Sequence, residues 1–320
     1  MKIIHILFII MSLLSASEIV SRTQIIMGTF ATISLPETHF ESIETGFKIL
    51  KSVESELSSY DQNADIYKLN HTRSVALGSY TFEALSKSKH YYEETKGYFD
   101  ISIGSITKGL YRFGEDERLA NLSELQNAPI AFKSLSFNQK NAWLDENITI
   151  DLGGMGKGFG VDKVNEYYKD QGIKRGKIAL SGDIRCLSRC DISIQDPFND
   201  TSRFFFKTLQ PHTAISTSGN YRRFVKDVTS NHLINPKQKC SQQNFASITL
   251  ISTGSNSDLD AYATAASVMP IETAKAFLAS RPLAYIMIET DGTTTISPNL
   301  NKFVLMLNDT LKSAKENKPE

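Results

Sequence analysis

The most informative hydrophobic pattern lies near the middle of the chain. Ile148, Ile150 and Leu152 alternate with polar residues, a period that predicts a β-strand. Five glycines follow within eight residues, at positions 153, 154, 156, 158 and 160. After them, Val161, Val164, Tyr167 and Tyr168 recur at helical spacing. Gly172 follows, and glycine commonly ends helices. The pattern therefore predicts a strand, a glycine-rich turn and a helix.

This turn has two interpretations. Glycines allow backbone to approach a ligand closely, and the first N–H groups of a helix attract anions, so glycines around Lys157 favour a phosphate site. The alternative is a tight strand-to-helix turn without a ligand. Gly158 stands where a P-loop has Ser or Thr, and Phe159 and Val161 stand where a dinucleotide fingerprint needs its third glycine. The turn thus fits neither common phosphate-binding motif.

The rest of the chain mixes helical and strand-like patterns, which favours an α+β fold. Helical spacing predicts helices over residues 40–57, through Ile66 and Leu69, over 81–95 and from Ser257 onward. Strand-like runs occur at residues 24–35, 135–137 with 143–145 as a hairpin, 178–180, 192–195, 283–289 with 293–296 as a second hairpin, and 303–307.

Composition limits the class of protein. A chain of 320 residues with 41% hydrophobic content can bury one large core or two intimately packed ones. Its 35 basic and 35 acidic residues cancel, which argues against nucleic acid or an anionic membrane surface as a partner.

Residues 1–17 have one lysine, a short apolar run and small residues at the end, the pattern of a secretory signal peptide. The alternative is a retained anchor, although the run is short for a membrane span. We expect residues 18–320 to form the mature, exported protein. Cys186 and Cys190 are close enough in sequence to pair, which would leave Cys240 over, but nothing in the sequence requires the bond.

Candidate metal ligands lie on the helix after Ser257. Ser257 and Asp260 resemble a capping box at its start. Asp260 and Thr264 are four residues apart and so share a helical face. A carboxylate and a hydroxyl suit Mg²⁺, which prefers oxygen ligands. The alternative is that both residues only cap the helix.

Two further segments have both a structural and a functional interpretation. Tyr98, Phe99 and Asp100 form either core and cap or the wall of a site for a flat heteroaromatic ring. His232 lies in a turn before Asn235-Pro236, close to a cluster of Ser and Thr residues. A lone histidine is more often structural than catalytic, so its position favours catalysis only modestly.

Taken together, these segments resemble the ApbE family of FAD:protein FMN transferases. The matching motifs are MGT at 27–29, SYD at 59–61, YFDIS at 98–102, IDLGGMGKGFGVD at 150–162, ISTSGNY at 215–221, HLINP at 232–236 and DAYAT at 260–264. They run in the family's order over nearly the whole mature chain.

The resemblance implies two intimately packed α+β lobes with mixed or antiparallel sheets, related to the T-fold, and a flavin cleft between them. It implies FAD as the substrate and Mg²⁺ as the cofactor, with the metal held by Asp260, Thr264 and the carbonyl of Gly156. The positions that match FAD contacts are Met27, Tyr60, Tyr98, Phe99, Asp100, Gly153, Phe159 and Ile234. His232 is the candidate proton acceptor.

The implied reaction transfers FMN from FAD to a Ser or Thr hydroxyl of an exported client flavoprotein, with release of AMP. A subunit of a membrane redox complex is one candidate client, and the outer face of the inner membrane one candidate location. Two alternatives are an FAD pyrophosphatase and a flavin-binding or delivery protein without catalysis. The chain departs from the family pattern at Ser181, at Asn235 and in lacking Thr-Gly after Lys237, which bears mainly on the shape around His232.

Overall fold

A computed structural model describes residues 17–307. The predicted signal segment lies outside these residues except for its last position. The described helices are α1 (Phe40–Leu57), α2 (Asp65–Thr72), α3 (Ser79–Glu94), α4 (Gly104–Thr107), α5 (Leu122–Asn127), α6 (Gly156–Asp170), α7 (Asn256–Ser267) and α8 (Ile271–Ala279). The described strands are β1 (Ile19–Ile26), β2 (Thr29–Pro36), β3 (Ser74–Ala76), β4 (Leu135–Phe137), β5 (Asn141–Leu144), β6 (Lys177–Leu180), β7 (Asp183–Cys186), β8 (Asp191–Gln195), β9 (Ser202–Thr208), β10 (Thr213–Gly219), β11 (Ile234–Asn235), β12 (Cys240–Ser241), β13 (Phe245–Ser252), β14 (Ala284–Glu289), β15 (Thr294–Ile296) and β16 (Val304–Met306).

One eight-stranded sheet organises the fold. Its strand order is β1-β2-β6-β7-β10-β13-β14-β15, and every neighbouring pair is antiparallel. Strands from the N-terminal and C-terminal halves of the chain therefore share one sheet. Smaller sheets are formed by β16-β9-β8, by β3-β5-β4 and by β11-β12. The predicted α+β class is confirmed, and the sheets in the described part of the chain are antiparallel rather than mixed.

Helices α1, α6 and α7 cover one face of this sheet. Helix α1 has the predicted bounds and buries the stripe that its spacing indicated, including Ile43, Phe47 and Leu50. On the other face, Phe204 and Phe206 of β9 pack against the central strands. This second layer closes the core behind the strands that carry the site described below.

The predicted strand over residues 148–152 is wrong. Its apolar residues are buried, as their alternation indicated, but the segment pairs with no strand within residues 17–307. Isolated hydrogen bonds, several of them to side chains, satisfy its backbone instead. Asn70 Oδ1 accepts from Ile150 N at 2.8 Å, Asn70 Nδ2 donates to Ile150 O at 2.9 Å, and Ser105 Oγ accepts from Thr149 N at 3.1 Å. Buried backbone needs hydrogen-bond partners, and here isolated bonds supply them without a ladder.

Several other predictions are confirmed. The two hairpins form as β4–β5 and β14–β15. Gly172 adopts φ +68° directly after α6, as expected for a helix terminator.

The sequence left the pairing of the cysteines open. In the structure Cys186 and Cys190 form a disulfide, and Cys240 is a free thiol. Between residues 17 and 307, no helix combines the length and the apolar character that a membrane crossing requires.

Candidate functional site

The site forms where α6 crosses α7. At Gly158, an added Cβ would lie 2.4 Å from Asn256 O and 2.9 Å from Asp260 Cβ, so only glycine allows the two helices this close. Gly158 N donates to Asp260 Oδ2 at 3.1 Å. The anion at the start of α6 is thus a carboxylate of the chain itself. This accounts for one of the five clustered glycines by packing alone.

Asp260 and Thr264 share one face of α7, as predicted, and this face lies against the glycine segment. Thr264 Oγ1 donates to Gly154 O at 3.1 Å. Neither residue caps the helix, so the capping alternative fails. The predicted capping box is also wrong, because the N-cap is Ser255, whose side chain accepts from Asp258 N. Asp260 is one turn inside α7, where its carboxylate contacts α6 through Gly158 N.

Lys157 joins Asp260 to a second buried carboxylate, that of Asp183 at the start of β7. Lys157 Nζ lies 3.2 Å from Asp260 Oδ2 and 3.1 Å from Asp183 Oδ2. Ser216 Oγ donates to the other oxygen of Asp183 at 2.5 Å. Burial, together with the nearby charge of Asp260, raises the pKa of Asp183. Burial would lower the pKa of Lys157, but the two carboxylates raise it, so the ammonium stays charged.

The oxygen atoms here fit a hard cation. Two nearly inaccessible carboxylates share a single ammonium, which leaves an excess negative charge that a divalent ion would neutralise. Thr264 adds a hydroxyl, and the space beside Gly156 is open, with no atom within 4 Å of an added Cβ. A ready-made cluster of three His, Cys, Asp or Glu side chains does not occur within residues 17–307. The few carboxylate and hydroxyl oxygens here suit Mg²⁺, because this ion takes its other ligands from water and phosphate oxygens.

Met27 lies at the tip of the β1–β2 hairpin. Met27 and Gly28 both have positive φ, 53° and 68°, as expected for a two-residue hairpin turn. Glu54 of α1 fixes this turn, because its Oε1 accepts from Met27 N at 2.6 Å. Glu54 and Tyr60 also line an open groove of about 420 Å³. Two predicted flavin contacts, Met27 and Tyr60, therefore lie near Glu54, the first through a hydrogen bond and the second in the same groove.

Tyr60 and Tyr98 present partly exposed rings, and a lysine covers each of them. Lys108 Nζ lies 3.3 Å from the centroid of the Tyr60 ring, and Lys237 Nζ lies 3.9 Å from that of Tyr98. These are cation–π distances. Tyr60 is also held by its hydroxyl, which donates to Phe113 O at 2.8 Å. Both rings can therefore offer a flat face once the lysine side chain moves.

Phe99 and Phe159 are buried in the core, with 3% and no exposure respectively. Phe99 packs edge-on against Tyr91, and Phe159 edge-on against Tyr80. Phe99 also lies behind the site, since an added Cβ on Gly154 would lie 3.3 Å from its ring. Phe99 therefore supports the site from behind, and the partly exposed rings of the predicted contacts are those of Tyr60 and Tyr98.

Three other predicted contacts have structural partners. Asp100 caps the short 3₁₀ turn that follows it, accepting from Ser102 N at 2.9 Å, and burial raises its pKa. Ile234 is buried in β11. Gly153 is exposed, and its N–H donates to Asp151 Oδ1 at 2.9 Å. Whether these positions contact FAD stays a prediction, and Asp100 has the capping role that the sequence offered as its alternative.

His232 is partly buried beside Phe113. Its Nδ1 lies 3.0 Å from the carbonyl oxygen of Arg223, which can only accept, so Nδ1 carries the proton and Nε2 is the basic nitrogen. Burial, with help from the positive charges of Arg223 and Lys157, lowers the pKa of His232 to about 4. The imidazole is therefore neutral at physiological pH and able to accept a proton.

Comparison with known proteins decides the family. The model of the ApbE family matches residues 27–287, most of the chain. The chain belongs to the ApbE family. This confirms the resemblance drawn from the motifs.

Relatives and solved structures agree with this assignment. The curated FAD:protein FMN transferase of Klebsiella pneumoniae is 24% identical over 259 residues, which are 76% of this chain and 80% of that protein. The Escherichia coli K12 protein of the same name is 23% identical over 308 residues, 87% of each chain. The flavin transferase ApbE of Vibrio cholerae superposes with a TM-score of 0.76 at 22% identity, over 90% of this chain and 99% of that one. An ApbE protein of Thermotoga maritima gives a TM-score of 0.81 at 20% identity, over 89% and 99%.

Seven of the twelve predicted ApbE site residues fall into two groups, and the other five are Met27, Tyr98, Asp100, Gly153 and Phe159. Asp260, Thr264 and Gly156 meet at the α6–α7 crossing, with Phe99 behind them. The second group surrounds Phe113. Its carbonyl oxygen accepts a hydrogen bond from the Tyr60 hydroxyl, and its side chain belongs to the same hydrophobic cluster as Ile234. The His232 ring meets the Phe113 ring edge-on.

Sequence reasoning gave no role to Asp151, Asp183 or Arg223, and it took Lys157 only as a sign of a phosphate site. Lys157 and Asp183 form the charged cluster, Asp151 accepts from Gly153 N and Thr107 Oγ1, and Arg223 donates to the Tyr60 hydroxyl at 2.7 Å. Burial would raise the pKa of Asp151, but Lys108 and these hydrogen bonds lower it. Asp151 and Lys157 lie inside the glycine motif, which was the available signal. Asp183 and Arg223 are recognisable only once the chain is folded.

The departures from the ApbE pattern are accommodated locally. Ser181 has φ +57°, a left-handed conformation that explains why glycine is usual there. Asn235 Oδ1 accepts from Lys237 N at 2.9 Å and from Gln238 N at 3.1 Å, a turn that an aspartate would form in the same way. The segment that follows His232 thus keeps a defined turn despite the changed residues.

Proposed function

We propose that this protein is an FAD:protein FMN transferase, which transfers FMN from FAD to a Ser or Thr hydroxyl of a client flavoprotein and releases AMP. The observation that carries the proposal is the Asp260–Thr264 pair set against the glycine segment, in a chain of the ApbE family. The names of the curated relatives support the reaction class. Mg²⁺, the hydroxyl acceptor and AMP release are parts of the proposal.

The proposed reaction is one phosphoryl substitution. The client hydroxyl oxygen forms a bond to the flavin-side phosphorus, and the bond from that phosphorus to the bridging oxygen breaks, so AMP leaves with that oxygen. Asp260, Thr264 and the Gly156 carbonyl would hold Mg²⁺, which supplies charge neutralisation on the phosphates when bound. The neutral Nε2 of His232 takes the hydroxyl proton. Phosphoryl transfer depends mainly on positioning and charge, so few side chains need take part chemically.

The direct test is incubation of the purified protein with FAD, Mg²⁺ and a client domain, followed by denaturing electrophoresis and mass spectrometry. We expect flavin fluorescence to stay with the denatured client, an added FMN-phosphoryl mass on a Ser or Thr, and one AMP per label. Production of AMP and free FMN at the same rate without a labelled client would make the protein a pyrophosphatase. Tight binding of FAD with no AMP would make it a carrier.

We also propose that the protein is exported and acts outside the cytoplasm, where its client would be found. The Cys186–Cys190 disulfide supports this, because such bonds persist mainly in oxidising compartments. We therefore expect mass spectrometry of protein extracted from the cell envelope to find residues near Ser17 at the N-terminus. Intact Met1 on most of that protein would contradict cleavage and favour a retained anchor.

A further inference from the structure

We infer that Asp162 is a positioning residue that fixes the start of α7 against α6 and so sets the geometry of the Asp260–Thr264 face. The inference rests on the proposed function, since it concerns the metal site of that reaction. Asp162 lies on α6, about one turn beyond Gly158. It is nearly buried and touches none of the proposed ligands directly.

The carboxylate of Asp162 receives five hydrogen bonds. Oδ1 accepts from Asn256 N at 2.8 Å and from Arg185 Nη2 at 2.9 Å. Oδ2 accepts from Ser257 N at 2.8 Å, from Ser257 Oγ at 2.9 Å and from Ser255 Oγ at 2.6 Å. Four of the five donors belong to the N-cap and first two residues of α7. Asp162 is therefore an N-terminal cap supplied by another helix.

A cap supplied by another helix fixes the position of α7, which a capping residue within α7 could not do. The first N–H groups of a helix have no partner within the helix, and a negative charge near them is stabilised by the helix dipole. Because Asp162 is part of α6, satisfying these groups also fixes where α7 begins relative to α6. Asp260 follows Asn256 by one turn, and the metal position needs Asp260 on α7 and Gly156 on α6 in one fixed arrangement.

Two strands of the eight-stranded sheet also contact Asp162 and the start of α7. Arg185 of β7 is 2% exposed, pairs with Asp162 and donates through Nη1 to His212 O at 2.8 Å. Asn256 Nδ2 donates to Ile184 O at 3.0 Å and Ile215 O at 3.2 Å, which ties the start of α7 to β7 and β10. The Asp162 carboxylate thus joins α6, α7 and β7 directly, and Asn256 extends the contact to β10.

The test is the affinity of the full chain for Mn²⁺, used as a paramagnetic probe for Mg²⁺ and measured by electron paramagnetic resonance without FAD. We expect Asp162→Asn to weaken Mn²⁺ binding by roughly 10-fold to 100-fold, the range found when a residue that orients metal ligands is removed. This readout needs no turnover. Wild-type protein that binds no Mn²⁺ would overturn the metal assignment of the proposed function, and with it this inference.

Asp65→Asn is the matched control. Asp65 Oδ2 accepts from Gly78 N at 2.7 Å and Thr81 Oγ1 at 2.9 Å, so it too holds the start of a helix, α3, but away from the metal position. We expect the control to lower the melting temperature and leave Mn²⁺ affinity unchanged. If Asp162→Asn is destabilised yet binds Mn²⁺ as tightly as wild type, Asp162 is merely structural and the inference is wrong.

A milder variant covers the case in which Asp162→Asn does not fold, because that change leaves Arg185 buried without its ionic partner. Ser257→Ala removes one hydroxyl bond to Asp162 and keeps both backbone bonds at the start of α7. We expect a smaller loss of Mn²⁺ affinity in the same direction. Unchanged affinity in a folded Ser257→Ala protein would count against the inference.

Discussion

Replacement of Asp260 by alanine is expected to lower turnover with FAD and client by roughly 100-fold or more, since loss of a direct ligand should exceed the effect of losing a supporting residue. The carboxylate is nearly inaccessible and accepts from Gly158 N and Lys157. The fold should survive, because loss of one buried hydrogen-bond acceptor costs about 1–3 kcal/mol. Turnover measured over a range of Mg²⁺ concentrations, with the melting temperature, tests this.

Asp258→Ala is the control on the same helix. Asp258 lies near the start of α7 but points away from α6, accepting from the Tyr91 hydroxyl at 2.6 Å. Its removal should cost stability and leave the Mg²⁺ requirement unchanged. If Asp260→Ala loses stability but turns over normally at low Mg²⁺, Asp260 serves only to join the two helices and the metal assignment is wrong.

Replacement of His232 by glutamine is expected to lower kcat by about 100-fold to 10,000-fold, the usual contribution of a general base. The wild type should also show an acidic limb in kcat/KM. Because the neutral imidazole is the active form and its pKa is lowered to about 4, activity should hold as the pH falls toward 5 and drop as it approaches 4. The profile is measured at saturating Mg²⁺, where the carboxylates of the metal position are neutralised.

His71→Gln is the control for this change. His71 is exposed on α2, and its Nδ1 lies 2.7 Å from Tyr67 O, the same kind of backbone contact that His232 makes. Its loss should leave both kcat and the pH profile as they are. A His232→Gln protein that keeps its rate and its acidic limb would show that another group accepts the proton.

Local pattern was sufficient for much of the fold and for half of the site. The apolar stripe of α1 predicted that helix with its bounds, since spacing alone decides which face of an amphipathic helix is buried. The four-residue spacing of Asp260 and Thr264 likewise placed both on one face of α7. Family motifs added the ligand. Each of these inferences depends on residues close together in sequence.

The predictions that failed depended on distant partners. Residues 148–152 alternate like a strand, but their backbone bonds go to Asn70, 80 residues away, and to Ser105, 44 residues away. The helix begins two residues earlier than the capping-box pattern indicated, with Ser255 as the N-cap, and both Ser255 and Ser257 donate to Asp162 of another helix. The Lys157–Asp183 pair joins α6 to β7, and sequence spacing contains no information about that contact.

Lys108 and Lys237 cover the ring faces of Tyr60 and Tyr98, so a ligand that stacks on either ring must first displace a lysine side chain. A flat ring that stacks on either tyrosine takes the position of an ammonium group, and each such contact is worth roughly 0.5–1 kcal/mol at an exposed site. The positive charge of Lys108 lowers the pKa of Asp151, so the displaced ammonium group stays beside the glycine segment. If FAD stacks on these tyrosines as proposed, its phosphates would compensate for the lost contact of Lys108, whereas riboflavin, which has none, would not. Lys108 would then favour a dinucleotide over the bare flavin before any chemistry begins.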